Sequence, residues 1–234
     1  MSDPGYALSA FKTSQENEGD IPNVLRHVLG VEMQGPPGRH YYANAPSILA
    51  GHVLECLFPH MLGLDKILGA SFEYLGMGST GYAFNHPSAK GKLQIDDESA
   101  RYAGAYPLGS AGIFSTVEDL LRYTRVFTNL ELSSVSDPFV LEKLYTNQLG
   151  AESKVQHGLG WDIPSIEKYP ELPEKTFMMV GYTGAALVYN VEHDITFAMG
   201  AEGFVDKTRN PKDVERLRAL RRSWINQVFK AIRG

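Results

Sequence analysis

The last third of the chain restricts the possible folds most strongly. Three apolar segments, at residues 177–182, 185–191 and 195–199, have the length and composition of strands, and the polar turn 192–194 separates the last two. Connections this short favour antiparallel pairing. A helix follows with Asn210 as its cap, Pro211 at its start and apolar residues at helical spacing: Val214, Leu217, Leu220, Trp224, Val228 and Ile232. The sequence therefore predicts an antiparallel sheet, including a further strand at 159–163, with the C-terminal helix packed on it.

The residues before this sheet are predicted to be mostly helical. Helices are expected at about 21–29, 46–58, 62–68, 115–128 and 137–149. The second has an apolar stripe, which we expect to face the core and which consists of Leu49, Val53, Cys56 and Leu57. The two later helices have recognisable starts: a capping box of Ser115 and Glu118, with Val117, Leu120, Leu121 and Thr124 inward, and a cap at Asp137 followed by Pro138. The predicted fold class is α+β, as one domain with a helical lobe (about 21–150) and a sheet-plus-helix lobe (about 155–234).

Composition excludes several classes of protein. A chain of 234 residues with 43% hydrophobic content can bury a sizeable core. Its formal net charge of -5 argues against a nucleic-acid binder, which needs a basic face, and the arginines near the C-terminus are expected to be solvated. The sequence contains no run of about 18 apolar residues, which a membrane helix would need, and no secretion signal is visible at its start. A cytoplasmic protein is therefore expected. The single cysteine, Cys56, excludes an intrachain disulfide and is expected to fill core.

The candidate functional residues begin with a Tyr-x-Asn triplet. Tyr42 and Asn44 follow a turn rich in glycine and proline and directly precede an apolar helix. Two residues that are two apart in an extended segment project to the same side, so a phenol and a carboxamide could meet one bound molecule. Other polar clusters carry less information. The run 96–98 with Asn85 and His86 lacks metal-site spacing, and the glycine-rich stretch 104–112 lacks a phosphate-binding motif, so no metal and no cofactor are predicted.

Several blocks in register give a family resemblance. They lie at 25–29, 37–38, 42–44, 75–77, 112–121, 158–162 and 181–184, over roughly residues 6–205. In this order and spacing the chain resembles the serine β-lactamase-like family, in the branch of class C β-lactamases, penicillin-binding proteins, esterases and transesterases. The resemblance implies a β-lactamase/transpeptidase-like fold and acyl-transfer chemistry.

The same resemblance assigns roles to particular residues. In the family the tyrosine of Tyr-x-Asn is a general base or proton relay, which implies catalytic roles for Tyr42 and Asn44. A Lys/His-Thr/Ser-Gly motif on an edge strand helps to build the oxyanion site, and Tyr182, Thr183 and Gly184 occupy that place here. Tyr182 is therefore a third catalytic candidate, and substrate contacts are expected from Thr183, Gly184, His27 and Tyr41. Structural packing is the alternative for His27 and for the two catalytic tyrosines.

The chain also departs from the family pattern. The family nucleophile lies in Ser-x-x-Lys, well upstream of the 25–29 block, whereas Ser9 with Lys12 stands only about thirty residues before Tyr42. The chain therefore resembles a member that lacks this N-terminal part. Because a phenol ionises near pH 10, a tyrosine without a nearby cation is suited to donate a proton rather than accept one.

Three functions remain open from the sequence. The first is acyl transfer or hydrolysis of a small, largely apolar ester, thioester or amide, with a serine from Ser9, from a missing segment or from another chain. The second is an isomerase, cyclase or lyase that uses tyrosine-mediated proton transfer, and the third is a non-catalytic binding or scaffold remnant. The expected partner is a small-molecule substrate, with no nucleic acid and no membrane. A homodimer or a complementing chain is the predicted cover for a sheet edge left exposed.

Overall fold

A computed structural model describes residue 30 and residues 40–82, 107–129, 137–151, 153–181, 184–200 and 211–233, with side chains of the last helix described from 215 to 232. The chain divides into two compact units. Unit 1 consists of Met1–Pro37 and Tyr41–Ser115, and unit 2 of Gly38–His40 and Thr116–Gly234. The chain therefore passes from unit 2 into unit 1 between His40 and Tyr41. The predicted lobe boundary near residue 150 stays a prediction, and the predicted helix at 21–29 lies outside the described residues.

Unit 1 is a small helical body with one strand pair. Helix α1 (Ala45–Leu57) is followed by a 3₁₀ turn (Pro59–Met61) and by helix α2 (Leu64–Tyr74). Strand β1 (Gly81–Tyr82) pairs antiparallel with β2 (Ile113–Phe114). The buried apolar residues of this unit are Ile48, Leu64, Ile67, Leu75, Met77, Tyr82 and Leu108.

Helix α1 has the predicted position but a different buried face. Ile48 and Gly51 are its buried residues. Val53 is 55% and Leu57 65% exposed, and Cys56 is exposed as well, so the predicted inward stripe and the core role of Cys56 are wrong. The reason is close packing at a glycine: a Cβ at Gly51 would come within 2.8 Å of Leu64 and 3.3 Å of the backbone of Gly109. The helix therefore packs through its backbone at Gly51, a contact that the spacing of apolar residues does not reveal.

Unit 2 contains the predicted sheet and its helix. Helix α3 (Val117–Tyr123) continues into a 3₁₀ turn (Thr124–Phe127), and helix α4 (Pro138–Tyr145) follows. Strands β3 (Thr176–Val180), β4 (Ala186–Asn190) and β5 (Ile195–Met199) form an antiparallel sheet in that order, and helix α5 (Pro211–Arg233) ends the unit. These strands and this helix confirm the prediction. The expected strand at 159–163 is instead two isolated bridges, in which Asp162 pairs with His157 and with Met178.

The sheet of unit 2 is covered on both faces. On one face Met178, Ala186 and Val188 pack with Ile225 and Phe229 of α5. On the other, a cluster of aromatic rings in edge or tilted contact consists of Phe127, Trp161, Phe177 and Tyr189. All five residues of β4 are consequently buried, so this central strand does not alternate between apolar and polar residues.

The N-terminal caps of helices α3 and α4 have the predicted residue types, but the cap of α3 is one residue later than predicted. Asp137 accepts a hydrogen bond from the Phe139 N–H at 2.8 Å and caps α4 as predicted, although the helix ends at Tyr145 rather than near 149. Helix α3 is capped by Thr116, whose hydroxyl accepts from the Asp119 N–H at 3.2 Å, so the predicted Ser115 cap is one residue too early. On the same helix Asp119 is fully buried, whereas Val117 and Leu121 are more than 40% exposed, contrary to the prediction.

The buried face of α5 also differs from the prediction. Its buried residues are Leu217, Arg221, Ile225 and Phe229. The residues that precede the last three, Leu220, Trp224 and Val228, were expected inward but are 39–45% exposed, and Ile232 is 49% exposed. Of the predicted apolar positions with described side chains, only Leu217 is buried.

Gly158 is required for the contact between α4 and the segment that follows it. A Cβ at this position would overlap the carbonyl oxygen of Leu144 at the end of α4, whereas the nearby Gly160 has open space but a φ of +77°. We expect Gly158→Ala to lower the free energy of unfolding by about 3 kcal/mol through overpacking. Gly160→Ala should cost only about 1 kcal/mol, the strain of a left-handed backbone. Urea denaturation followed by tryptophan fluorescence measures both, and equal effects would contradict the account.

Candidate active site

The Tyr-x-Asn residues lie at the entrance to helix α1. Asn44 is the N-cap residue of α1, with φ -80° and ψ -20°, and its side chain makes no capping hydrogen bond. Tyr42 is 74% exposed and Tyr41 42%. Within the described residues, the phenol of Tyr42 and the carboxamide of Asn44 therefore remain available for a ligand.

Unit 1 fixes the helix that carries this triplet. Gly109 approaches α1 so closely that a Cβ would overlap the carbonyl oxygen of Ser47, in the first turn. At the other end of the helix, Glu55 Oε1 accepts a hydrogen bond from the Leu64 N–H at 3.0 Å, which satisfies a free donor at the start of α2. Residues 107–112 of the glycine-rich stretch thus pack on α1. The position of Asn44, at the start of this helix, is fixed by these contacts.

The third motif is the family's Lys/His-Thr/Ser-Gly place, residues 182–184 here, and its glycine, Gly184, lies in a tight turn between β3 and β4. The Gly181 N–H donates to the Ala185 carbonyl at 2.8 Å, and the Gly184 N–H donates to the Gly181 carbonyl at 3.2 Å. Gly184 has a φ of +107°, a conformation that residues with a Cβ rarely adopt. The turn therefore needs the motif's glycine. Tyr182 and Thr183 lie outside the described residues.

Arg221 supports this turn from helix α5, and sequence reasoning missed it. The residue is 6% exposed, and its Nη1 donates to the carbonyls of Gly181 at 3.0 Å and Ala185 at 3.5 Å. It also shares a hydrogen bond with Tyr169, while its buried Nε has no hydrogen-bond partner among the described residues. Burial lowers the pKa of the Arg221 guanidinium. The predicted solvated arginine face of this helix is therefore wrong at this position.

A second group that sequence reasoning missed consists of His40, His157 and Asp162. The rings of His40 and His157 stack with centroids 4.3 Å apart and planes at 17°. His157 Nε2 lies 2.7 Å from Asp162 Oδ1. No local pattern could have predicted this contact, because His40 and His157 are far apart in the sequence, although His157 and Asp162 flank the 158–162 block.

Other predicted features lie outside the described residues. They are His27, Ser9 and the polar run 96–98 with Asn85 and His86. Over the described parts of the chain, no group of three or more metal-ligating side chains occurs. Within the same ranges no helix is long and apolar enough to cross a membrane.

Comparison with known proteins confirms the fold. The family model described as β-lactamase matches residues 4–221. A penicillin-binding protein from Bacillus halodurans is 20% identical with a TM-score of 0.56, over 95% of this chain and 64% of that one. Simvastatin synthase (LovD) from Aspergillus terreus is 12% identical with a TM-score of 0.63, over 94% of this chain and 62% of that one.

These matches have a defined extent. The chain spans less than two thirds of the length of either solved structure. No curated protein matches the sequence significantly. The predicted β-lactamase/transpeptidase-like fold nevertheless agrees with the family match, which covers most of the residues, and with both solved structures. The chain belongs to the β-lactamase family.

Proposed function

We propose that the protein is an enzyme that transfers or hydrolyses the acyl group of a small, largely apolar ester, thioester or amide. The observation that carries the proposal is the family match over residues 4–221, which includes the Tyr-x-Asn triplet and the third motif. The accessible Tyr42 and Asn44, before a helix fixed at both ends, support it.

In this proposal Tyr42 acts as a proton donor. A serine oxygen adds to the acyl carbon, the bond to the leaving oxygen, sulfur or nitrogen breaks, and Tyr42 gives its proton to the leaving atom. The phenol regains a proton from the serine hydroxyl, so the enzyme ends the step acylated and otherwise unchanged. Water then releases the acid, or an alcohol or amine accepts the acyl group. General acid catalysis of this kind contributes about 10²–10⁴-fold.

The remaining predicted residues would bind substrate in this scheme. Asn44 offers amide N–H groups to the substrate, and Tyr182 serves as a second donor or a stacking surface. Thr183 and Gly184 would lie beside the acyl oxygen, with His27 and Tyr41 as further contacts. The serine comes from Ser9, from a segment outside these 234 residues or from another chain.

A complementing chain or a second copy is also part of the proposal. Among the described strands, β5 pairs on one side with β4 and has no strand on its other side. Unpaired backbone groups at such an edge favour addition of a strand. A partner that supplies both a strand and a serine would cover the edge and complete the site.

Turnover of simple acyl substrates tests the proposed reaction. We expect p-nitrophenyl esters of increasing acyl length and an acyl thioester to be cleaved faster with the protein than without it, and longer apolar chains to be preferred. A chromogenic cephalosporin serves as the amide. Saturable binding of these compounds without turnover of any of them, both by the chain alone and together with a chain that completes the site, would contradict the proposal and favour a binding protein.

Tyrosine-mediated proton transfer is the second candidate. It is favoured by Tyr182, which stands where the family has lysine or histidine. An isomerase, cyclase or lyase of this type would keep its activity when serines near the site are replaced and would lose it in Tyr42→Phe.

A further inference from the structure

The cluster of His40, His157 and Asp162 lies where the chain leaves unit 2. His40 is the last residue of its unit 2 segment, and Tyr42 follows two residues later. The stack on His157, with ring centroids 4.3 Å apart, therefore lies directly before the Tyr-x-Asn triplet.

His157 is itself held firmly. Its N–H donates to Asn147 Oδ1 at 3.2 Å, and its carbonyl accepts from the Gln148 N–H at 2.7 Å. Its bridge partner Asp162 exchanges two backbone hydrogen bonds of 2.9 Å with Met178 of β3. His157, whose ring stacks on His40, is thus linked through Asp162 to strand β3 of the sheet.

The charges in the cluster favour a neutral His40. Asp162 is close enough to accept a hydrogen bond from His157 Nε2, and one carboxylate compensates one positive charge but not two. Among the described residues, His157 and Asp162 are the titratable groups that act on His40. Partial burial, and then repulsion from His157, lower the pKa of His40 below its ordinary value, against a smaller opposite effect of Asp162.

We propose that His40 is a positioning residue: its stack on the Asp162-bound His157 holds the backbone before Tyr42, and protonation of His40 releases it. Because the folded protein favours neutral His40, the contribution of the stack is complete above the ordinary pKa of about 6.5 and is lost as the pH falls through the folded-state value. Only the consequence for Tyr42 rests on the proposed function.

A nitroxide label on the chain between Tyr42 and Asn44 tests the stack without any substrate. The label is attached to Ala43→Cys in a Cys56→Ser background, because Ala43 and Cys56 are both exposed. Three versions are compared by electron paramagnetic resonance: with His40, with His40→Ala, and with His40→Phe, which keeps a flat ring that cannot titrate.

We expect His40→Ala to shorten the label's rotational correlation time at least about threefold at about pH 8, and His40→Phe to leave it unchanged. Acidification from about pH 8 to about pH 5 should mobilise the label in the version with His40, with a midpoint below 6.5, but not in His40→Phe. An immobile label in His40→Ala, or an equal acid transition in His40→Phe, would overturn the proposal.

Kinetics, measured without the label, separate this inference from the proposed function. If the esters are turned over, His40→Ala should lower kcat with little change in KM, and His40→Phe should restore kcat and remove the acidic limb of its pH profile. An unchanged kcat in His40→Ala would overturn the positioning role even if the stack exists. If none of the esters, the thioester and the cephalosporin is turned over, even with a chain that completes the site, the proposed function fails, and the spin-label result still decides the stack.

Discussion

Replacing Tyr42 with phenylalanine should lower kcat/KM for the best ester by about 10²–10⁴-fold, the contribution of a positioned general acid. The substitution keeps the ring and removes only the hydroxyl. Because the proton is needed in the transition state rather than in the bound substrate, most of the loss should appear in kcat and little in KM. Steady-state kinetics with the p-nitrophenyl ester series measures this split.

Tyr74 provides the matched control for this substitution. It is a tyrosine of the same unit, 63% exposed at the end of α2, and has no role in the proposed site. Tyr74→Phe should retain activity. If Tyr42→Phe cleaved the ester as fast as Tyr74→Phe, Tyr42 would not be the acid.

The largest effect on stability is expected at Phe177. This side chain is fully buried, and its ring lies 5.0 Å from both Phe127 and Trp161 and 5.6 Å from Tyr189, measured between ring centroids. Phe177→Ala removes the centre of this cluster and leaves a cavity, which should cost about 3–5 kcal/mol of unfolding free energy. Part of that loss, about 0.5–1.5 kcal/mol for each aromatic pair, comes from the edge-on contacts.

Two variants separate the causes of this loss. Met179→Ala, on the same strand but 46% exposed, should cost less than about 1 kcal/mol. Phe177→Leu fills much of the cavity and should recover part of the stability while losing the ring contacts. Denaturation followed by fluorescence of Trp161 and Trp224 gives all three values. A loss at Phe177→Ala no larger than at Met179→Ala would show that the cluster does not stabilise unit 2.

The sequence predicted the elements better than the faces they bury. Strands β3 to β5 and helix α5 were predictable because short apolar segments alternate with clear turn and cap residues. The buried face of α5 was not, because apolar pairs such as Trp224 and Ile225 are neighbours in sequence and hydropathy gives no reason to choose one. At Leu220 and Arg221 hydropathy favours the wrong residue, because the buried one is Arg221, whose guanidinium donates to carbonyl groups about forty residues away.

The same limit applies to the candidate site. Tyr42, Asn44 and Gly184 are candidates because they belong to short motifs, and Gly184 has the positive φ that its turn requires. Gly51 and Gly109, which hold α1 in place, act through backbone contacts that no hydropathy pattern records. The stack of His40 on His157 joins two segments that only the folded chain brings together.

We propose that this member of the β-lactamase family performs serine-dependent acyl transfer with the help of Tyr42. Mass spectrometric mapping after treatment with a fluorophosphonate tests it most directly. We expect one modified serine, in this chain or in the partner that completes it, and adduct formation that is much slower in Tyr42→Phe than in Tyr74→Phe. Ester turnover with no serine modified would contradict the claim.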